Sequence, residues 1–309
     1  MTVNLRLHQL RALVGVVEHG GIRAAARQLH VSQAALTKSL RQLEEDAGTA
    51  LLVRSPRGVN LTEAGQRLLA RARLITRQLD LAAAELRDAG EQATGHVRAA
   101  ITPMVAIGHV GEAFRWFRLR FPAVSVELVE GLVARTLPRL RDGTLDLAVV
   151  ADTGDLPSGE FVSQHLLTTR QYLVVRQGHP VLADPSPAAL ARLEWLLTGP
   201  RDGLVSTRLR GMFARAGVEP PDRILMCDTL AALSLLRSAD VAGIVPAPLL
   251  AVPEGRGLVA LDLPSLDPGA LRLVLLTRPD VPLTPAGAYF ARCLADAVAP
   301  PVTRAPDTT

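Results

Sequence analysis

Residues 22–43 constrain this chain more than any other stretch. Ile22, Ala25, Ala26 and Leu29 recur at i, i+3, i+4 and i+7, the apolar stripe of a short helix. The small alanines let a neighbouring helix approach closely. His30-Val31 leaves room only for a tight turn. Ser32 can then cap a further helix by accepting a first-turn N–H. That helix would bury Leu36, Leu40 and Leu43 and present Gln33, Ala34, Thr37, Lys38 and Arg41 on its other face. Upstream, Leu10, Leu13, Val14 and Val17 predict a helix that Gly20-Gly21 ends. Two helices joined by a short turn, the second polar and basic outside, predict a helix-turn-helix.

The chemistry of that exposed face suits duplex DNA. A helix fits the major groove, a Gln can pair with an adenine edge, and Lys or Arg reaches guanine or phosphate. Leu51–Arg54 and Val59–Leu61 then read as two short strands. Ser55-Pro56-Arg57-Gly58 suits a type I turn between them. Arg54 and Arg57 would sit on this wing against the sugar-phosphate backbone, and Arg23 joins the candidate contacts. Charge agrees. Residues 1–60 hold eight Lys and Arg, including the chain's single lysine, Lys38, against four Asp and Glu. The remaining 249 residues balance at 26 against 26. A basic head on a neutral body is the footprint of a nucleic-acid reader. With aromatics at only 3%, single-strand binding through stacked bases is disfavoured.

The run AAARQLHVSQAALTKSLRQLEEDAGTALLVRSPRGVNLTEAG resembles the N-terminal signature of LysR-type transcriptional regulators. Ala25-Ala26, Leu29, Ser32-Gln33, Ala35, Leu43-Glu44, Gly48, Leu51-Leu52, Arg54, Leu61-Thr62 and Ala64-Gly65 carry the resemblance. Two positions depart from the pattern: Ala34 replaces a frequent proline, and Leu52 replaces the usual Phe. Neither has a base-reading role, so only packing should shift. The resemblance implies double-stranded DNA with a near-palindromic operator and a small-molecule effector as partners. It also implies a homodimer or homotetramer, and RNA polymerase as a partner where the protein activates.

Thr62 is positioned to cap a helix running to about Ala89, with Gly90 as its stop. Leu68, Ala72, Ile75, Leu79, Ala82 and Leu86 alternate by four and three, the seam of a two-chain coil about 40 Å long. An amphipathic helix packed on its own domain is the alternative. A dimer would set two reading heads on two half-sites. The expected organisation is a winged helix-turn-helix DNA-binding domain (1–61), a linker and dimerisation helix (62–90), and an effector-binding domain (91–309).

Strands and helices alternate beyond residue 95. Strands are predicted at 97–101, 124–128, 145–150, 172–176, 195–198, 223–227, 241–245 and 271–277, with one helix from Thr102-Pro103 towards Phe121 and another over 284–299. This is α/β patterning with largely parallel sheets. The resemblance implies a two-lobed, periplasmic-binding-protein-like α/β domain. Lobe I would hold about 91–165 and 268–300, and lobe II about 166–267, with crossing strands near 161–169 and 264–270. GTLDLAVV and GIVPAPLL match the family's short motifs. Pro300–Thr309 reads as a loose tail.

In such a domain a ligand lies at the carboxyl ends of the strands, facing helix N-termini. The candidate effector contacts are Thr102, Pro103 and Met104; Gly131, Leu132 and Val133; Thr198, Gly199 and Arg201; and Cys227, Asp228 and Thr229. The threonines offer hydroxyls, though Thr102 and Thr229 suit capping equally well. Arg201 suits a carboxylate or sulfonate, or else solvent. Asp228 opposes an anion unless it turns outward as an N-cap. Cys227 suits a small buried residue better than a reactive thiol. LRDGTLD, the Pro200-Arg201 pair and the Cys227 helix start make the body most similar to toluenesulfonate-responsive members of the family. An aromatic or other small organic acid is the expected effector.

Rival functions have little support. No G-x-G-x-x-G, P-loop, G-x-S-x-G or H-x-x-H spacing occurs, and the seven histidines are scattered; His179, before Pro180, reads as an exposed loop residue. Cys227 and Cys293 have no metal-ligand spacing. Neither an enzyme nor a cofactor or metal site is expected. The charged N-terminus has no signal-peptide core and no run is long enough to span a membrane, so a cytoplasmic protein is expected rather than a transport binding protein.

Overall fold

The computed structural model describes residues 4–55, 58–87, 95–152, 154, 156–198 and 204–299. The chain divides into two compact units, Met1–Gly95 with Pro138–Leu145, and His96–Leu137 with Asp146–Thr309. The expected stop at Gly90, the Pro300–Thr309 tail and the turn residues Pro56 and Arg57 lie outside the described residues.

The first unit opens with α1 (Leu7–Glu18), α2 (Ile22–Gln28) and α3 (Gln33–Ala47). Strands β1 (Leu52–Ser55) and β2 (Gly58–Leu61) pair antiparallel, and α4 (Glu63–Arg87) follows. Leu10, Leu13, Val16, Ala25, Ala26, Leu36, Leu40 and Leu43 are buried together. No aromatic residue occurs in residues 1–61, so this core is aliphatic throughout. The turn between α2 and α3 puts His30 at φ 54°, the left-handed conformation that lets the chain reverse in so few residues. Gln9 is fully buried yet satisfied. Its carbonyl accepts the Arg6 N–H at 2.8 Å, and its amide donates to Asp46 at 2.7 Å. Hydrogen bonds from Gln9 and Gln42 hold the Asp46 carboxyl below its ordinary value.

The linker helix departs from the expected seam. Leu69, Ala72 and Thr76 are its buried positions, and Leu69 and Ala72 complete the head's core. Leu68 is half-buried there as well. Ile75 and Leu79 remain 45% and 42% exposed, and Ala82 is exposed. The first turns of α4 thus serve their own head, and only the later stripe is left uncovered. The side chain of Leu86 is outside the described residues. Arg73 pairs with Asp142 at 2.7 Å within the same unit and lies 3.8 Å from Glu18.

The second unit runs β3 (Gly95–Ile101), α5 (Pro103–Gly108), α6 (Val110–Arg120), β4 (Val124–Glu130), the first part of α7 (Val133–Arg141, assigned to the first unit from Pro138 on), β5 (Leu147–Asp152) and β6 (Val162–Arg176). It continues with α8 (Pro187–Ala191), β7 (Glu194–Leu197), α9 (Leu204–Arg215), β8 (Ile224–Met226), α10 (Thr229–Ser238) and β9 (Val241–Pro246). The last elements are α11 (Ala247–Leu250), β10 (Leu258–Leu261), β11 (Ala270–Thr277) and α12 (Pro285–Val298). The strands run in the order β4-β3-β5-β11-β6-β9-β7-β8, with β10 on β6. The single helix expected from Pro103 is two, because His109 leaves the helical region at φ −136°. Strand β10 was not anticipated in the pattern.

The sheet is mixed rather than largely parallel. β3–β5, β7–β8 and β7–β9 are parallel, as helical crossovers require. The long β6 is antiparallel to every neighbour it pairs with: β11 along Val162–Arg170, then β9 and β10 along Gln171–Arg176. One expected crossing segment is therefore the first part of a fifteen-residue strand. The other, near 264–270, holds a short 3-10 turn at Pro264–Leu266, and β11 begins only at Ala270.

The few aromatics are concentrated. Phe117 packs edge-on against Phe290 at 5.0 Å between centroids, beside Phe121 and Tyr289. Trp195 meets Phe213 edge-on at 5.5 Å and donates its indole N–H to the Leu190 carbonyl. His179 corrects the expectation of an exposed loop residue. It is 3% exposed, and its Nδ1 accepts the Val181 N–H at 3.0 Å, closing the turn that Pro180 begins.

Candidate nucleic-acid interface and ligand cleft

Helix α3 is positioned by its own sequence. The Ser32 hydroxyl accepts the Ala35 N–H at 3.1 Å, which fixes the start. Gly48, at φ 66°, ends it. With Leu36, Leu40 and Leu43 turned inward, Gln33, Ala34, Lys38 and Arg41 are exposed on the opposite face. Thr37 is half-buried and donates its hydroxyl back to the Gln33 carbonyl at 2.8 Å. Arg23 is exposed on α2. None of Arg23, Lys38 and Arg41 makes an ion pair among the described residues. Arg54 lies in β1 opposite Val59, its side chain outside the described residues. Arg57 lies outside them altogether.

Two of the three acids of this helix are employed elsewhere, which residue spacing alone did not reveal. One carboxylate oxygen of Glu44 accepts the N–H groups of Leu51 and Leu52 at 2.8 and 3.0 Å. Asp46 is held by Gln9 and Gln42. Glu45 is exposed four residues beyond Arg41, so the face carries Lys38 and Arg41 with a single carboxylate in the last turn of the helix.

In the second unit a cavity of about 570 Å³ opens at the strand ends. That volume suits a small organic molecule. Thr102, Pro103, Met104, Gly131, Leu132, Val133, Thr198 and Thr229 line it, eight of the expected contacts brought to one surface. Gly131 explains part of the construction. Its N–H bonds the Ile101 carbonyl at 2.8 Å, and a Cβ there would lie 2.8 Å from Ile101 C and Val149 O. Only glycine lets the loop sit so close to the strand ends.

Other expected contacts differ. Thr102 is 7% exposed, and its hydroxyl takes no part in capping α5; its backbone carbonyl accepts from Val105 and Ala106 instead. Asp228 turns outward as the N-cap of α10, accepting the Ala231 N–H at 2.8 Å, and does not line the cavity. Cys227 does not line it either. The half-buried residue packs on the core, and desolvation, then the charge of Asp228, push its thiol pKa up. The Thr229 hydroxyl donates to Glu130 at 2.9 Å. Gly199 and Arg201 lie outside the described residues.

The cavity also recruits side chains that were not expected. Val205, Arg208, Met212 and Arg215 of α9 line it. Their spacing of three, four and three puts them on one face of the helix, a signal present in the sequence. Gln171, from the middle of β6, had no local signal, because only sheet pairing brings it there.

Comparisons with known proteins agree with both units. Residues 7–66 match the family described as "Bacterial regulatory helix-turn-helix protein, lysR family", and residues 90–299 match "LysR substrate binding domain". The small neutral protease regulatory protein of Streptomyces coelicolor is 31% identical over 288 residues, covering 89% of this chain and 87% of that protein. Among solved structures, ArgP from Mycobacterium tuberculosis has a TM-score of 0.70 at 23% identity, covering 96% of this chain and 98% of that one. Full-length CbnR complexed with its target DNA has a TM-score of 0.64 at 24% identity, covering 95% and 100%. These two show the fold. The matches to both domains, read with the exposed Lys38 and Arg41 of α3 and the lined cavity, show that the chain belongs to the LysR-type family: it is a DNA-binding transcriptional regulator with a substrate-binding domain.

Proposed function

We propose that α3 enters the major groove of a near-palindromic operator. Gln33, Lys38 and Arg41 would meet base edges there, while Arg23, Ser32, Ala34 and Thr37 border the contact. Arg54 and Arg57 of the wing would hold the sugar-phosphate backbone. The observation that carries this reading is the placement of charge on α3: Lys38 and Arg41 stand exposed without ion pairs among the described residues, Glu44 and Asp46 are held by internal hydrogen bonds, and Glu45 is the one exposed acid, in the last turn. A salt series on the full-length protein with DNA upstream of its own gene tests it. Affinity should fall roughly tenfold or more for each threefold rise in salt, as counterion release demands. Salt-independent binding would exclude the groove-reading role.

The later face of α4 supports a homodimer or an assembly of dimers. Ile75, Leu79 and Ala82 stand exposed on one stripe, and two copies pairing there would place two heads on two half-sites. Replacing Ile75 and Leu79 together with Asp should give monomers by light scattering at micromolar concentration and weaken operator binding about tenfold or more. Unchanged mass and affinity would refute the coil.

The effector proposed for the cavity is a small organic acid, aromatic acids included. Met104, Leu132, Met212, Leu233 and Leu271 supply an apolar wall, and Arg208 and Arg215 supply cations for an acid group. The expected division of 91–309 into two lobes, with the cavity between them, would let the ligand bias their closure. A cytoplasmic location, and RNA polymerase as partner where the protein activates, complete the proposal. No helix among the described residues is long and apolar enough to cross a membrane.

A further inference from the structure

The lining of the cavity is charged on two segments of the chain. Arg208 and Arg215 reach it from α9, with Met212 between them on the same helical face. Asp267 lines it from the stretch before β11, and it is the one carboxylate of the lining among the described residues. Glu130 and Asp228 do not line the cavity, so they leave this balance unchanged. The wall therefore offers two cations and one anion. All three side chains are exposed, as the walls of an open cleft are until a ligand covers them.

Core packing brings the two signs side by side. Leu266, directly before Asp267, is 1% exposed and packs in one apolar cluster with Leu209 and Met212 of α9. Asp267 thus stands next to the helix that carries the arginines. Neither Asp267 nor Arg215 makes an ion pair among the described residues. One carboxylate oxygen of Asp267 accepts the Gly269 N–H at 2.8 Å, which fixes the turn. The Gly269 carbonyl in turn accepts the Gln171 N–H at 3.2 Å. Gln171, also in the lining, therefore adjoins Asp267, and its half-buried carboxamide has no hydrogen-bond partner among the described residues.

We infer that the cavity selects α-amino acids with an apolar side chain, and that Asp267 is the specificity-determining residue. The acid group meets Arg208 and Arg215, the ammonium meets Asp267 and the carboxamide oxygen of Gln171, and the side chain lies on the apolar wall. Among organic acids, an α-amino acid carries its two charges on groups joined through one carbon, which suits opposite charges held on adjoining walls. This rests on the reading of the cavity as an organic-acid site. An ammonium is strongly hydrated, so it enters only where charged and polar acceptors replace its water. A second carboxylate in the same place would meet Asp267 as a like charge.

The test is calorimetric titration of the full-length protein with L-phenylalanine, hydrocinnamate and benzylmalonate. The three share a benzyl group and one carboxylate, and carry an ammonium, a hydrogen or a second carboxylate on the same carbon. The wild type should bind L-phenylalanine about tenfold or more tighter than hydrocinnamate, and benzylmalonate weakest of the three. Asp267→Asn keeps an acceptor for the Gly269 N–H and removes the charge. In that variant the preference for L-phenylalanine should fall to about twofold or less, and benzylmalonate should gain affinity. Arg215→Gln should weaken L-phenylalanine and hydrocinnamate by similar factors and leave their ratio in place. Equal wild-type affinity for those two, or binding of hydrocinnamate alone, overturns the inference while the organic-acid reading stands. So does an Asp267→Asn variant that loses all three ligands equally, since that is the behaviour of a residue that only shapes its turn. Binding of none of the three overturns the organic-acid reading and this inference with it.

Discussion

Replacing Gly65 with valine is expected to unfold the head and abolish operator binding. Gly65 is buried in the first turn of α4, where an added Cβ would lie 2.1 Å from the Leu51 carbonyl oxygen and 3.0 Å from its carbon. Both are backbone atoms, and they are not free to yield. The Leu51 carbonyl accepts the Thr62 N–H at 3.0 Å, and Leu51 N–H donates to Glu44. The Thr62 hydroxyl donates to the Ala50 carbonyl and accepts the Gly65 N–H. Helix α4 is thus stapled to the segment that follows α3, and a side chain at 65 prises the two apart. The cost should be roughly 3 kcal/mol or more, at the upper end of overpacking effects. A urea titration followed by far-UV circular dichroism should show an early transition for the head. Gly15→Ala is the control. Its Cβ would meet the flexible end of Leu29 at 2.9 Å, so the cost should be about 1 kcal/mol. Equal midpoints for Gly65→Val and the wild type would contradict the close approach described above.

Replacing Lys38 and Arg41 together with alanine is expected to erase the preference for operator over random DNA, with fold retained. Both side chains are exposed on α3, so their removal opens no cavity. A good base-edge pair is worth about 1–3 kcal/mol of discrimination, so the two together should lower the ratio of specific to non-specific affinity roughly 30-fold or more. The salt dependence should become shallower too, because two cations leave the interface. Arg67→Ala provides the comparison. Arg67 is exposed on α4 and paired with Glu63, outside the proposed reading face, and its loss should leave the ratio unchanged. Competition binding with operator and scrambled duplexes measures both. A double variant that keeps its operator preference would remove α3 from the reading role.

Much of the head was readable in advance because its signals are local. A helix stripe needs neighbours three and four apart, and an N-cap needs one hydroxyl within a turn. Leu36, Leu40 and Leu43 and Ser32 meet those conditions within twelve residues. The Asp228 cap of α10, one of two alternatives for that residue, and the Thr284 cap of α12 are equally local. Periodicity was less able to separate rival partners for one face. The stripe on α4 fits a second chain or its own head, and the structure gives Leu69 and Ala72 to the head while Ile75 and Leu79 stay exposed.

Local order along this chain therefore determined where most of its helices and strands lie, which face of α3 exposes Lys38 and Arg41, and that the rear part is built from α/β units. Those features depend on side-chain spacing, backbone preference and charge within a few residues. Tertiary structure alone decided that β6 runs antiparallel through the sheet, that His179 is buried, and that Gln171, Arg208 and Arg215 share a cavity with Thr102. It alone joined Thr229 to Glu130. Contacts between residues dozens of positions apart carry no periodic trace in the chain. They exist only once burial of the apolar faces has chosen which elements lie side by side.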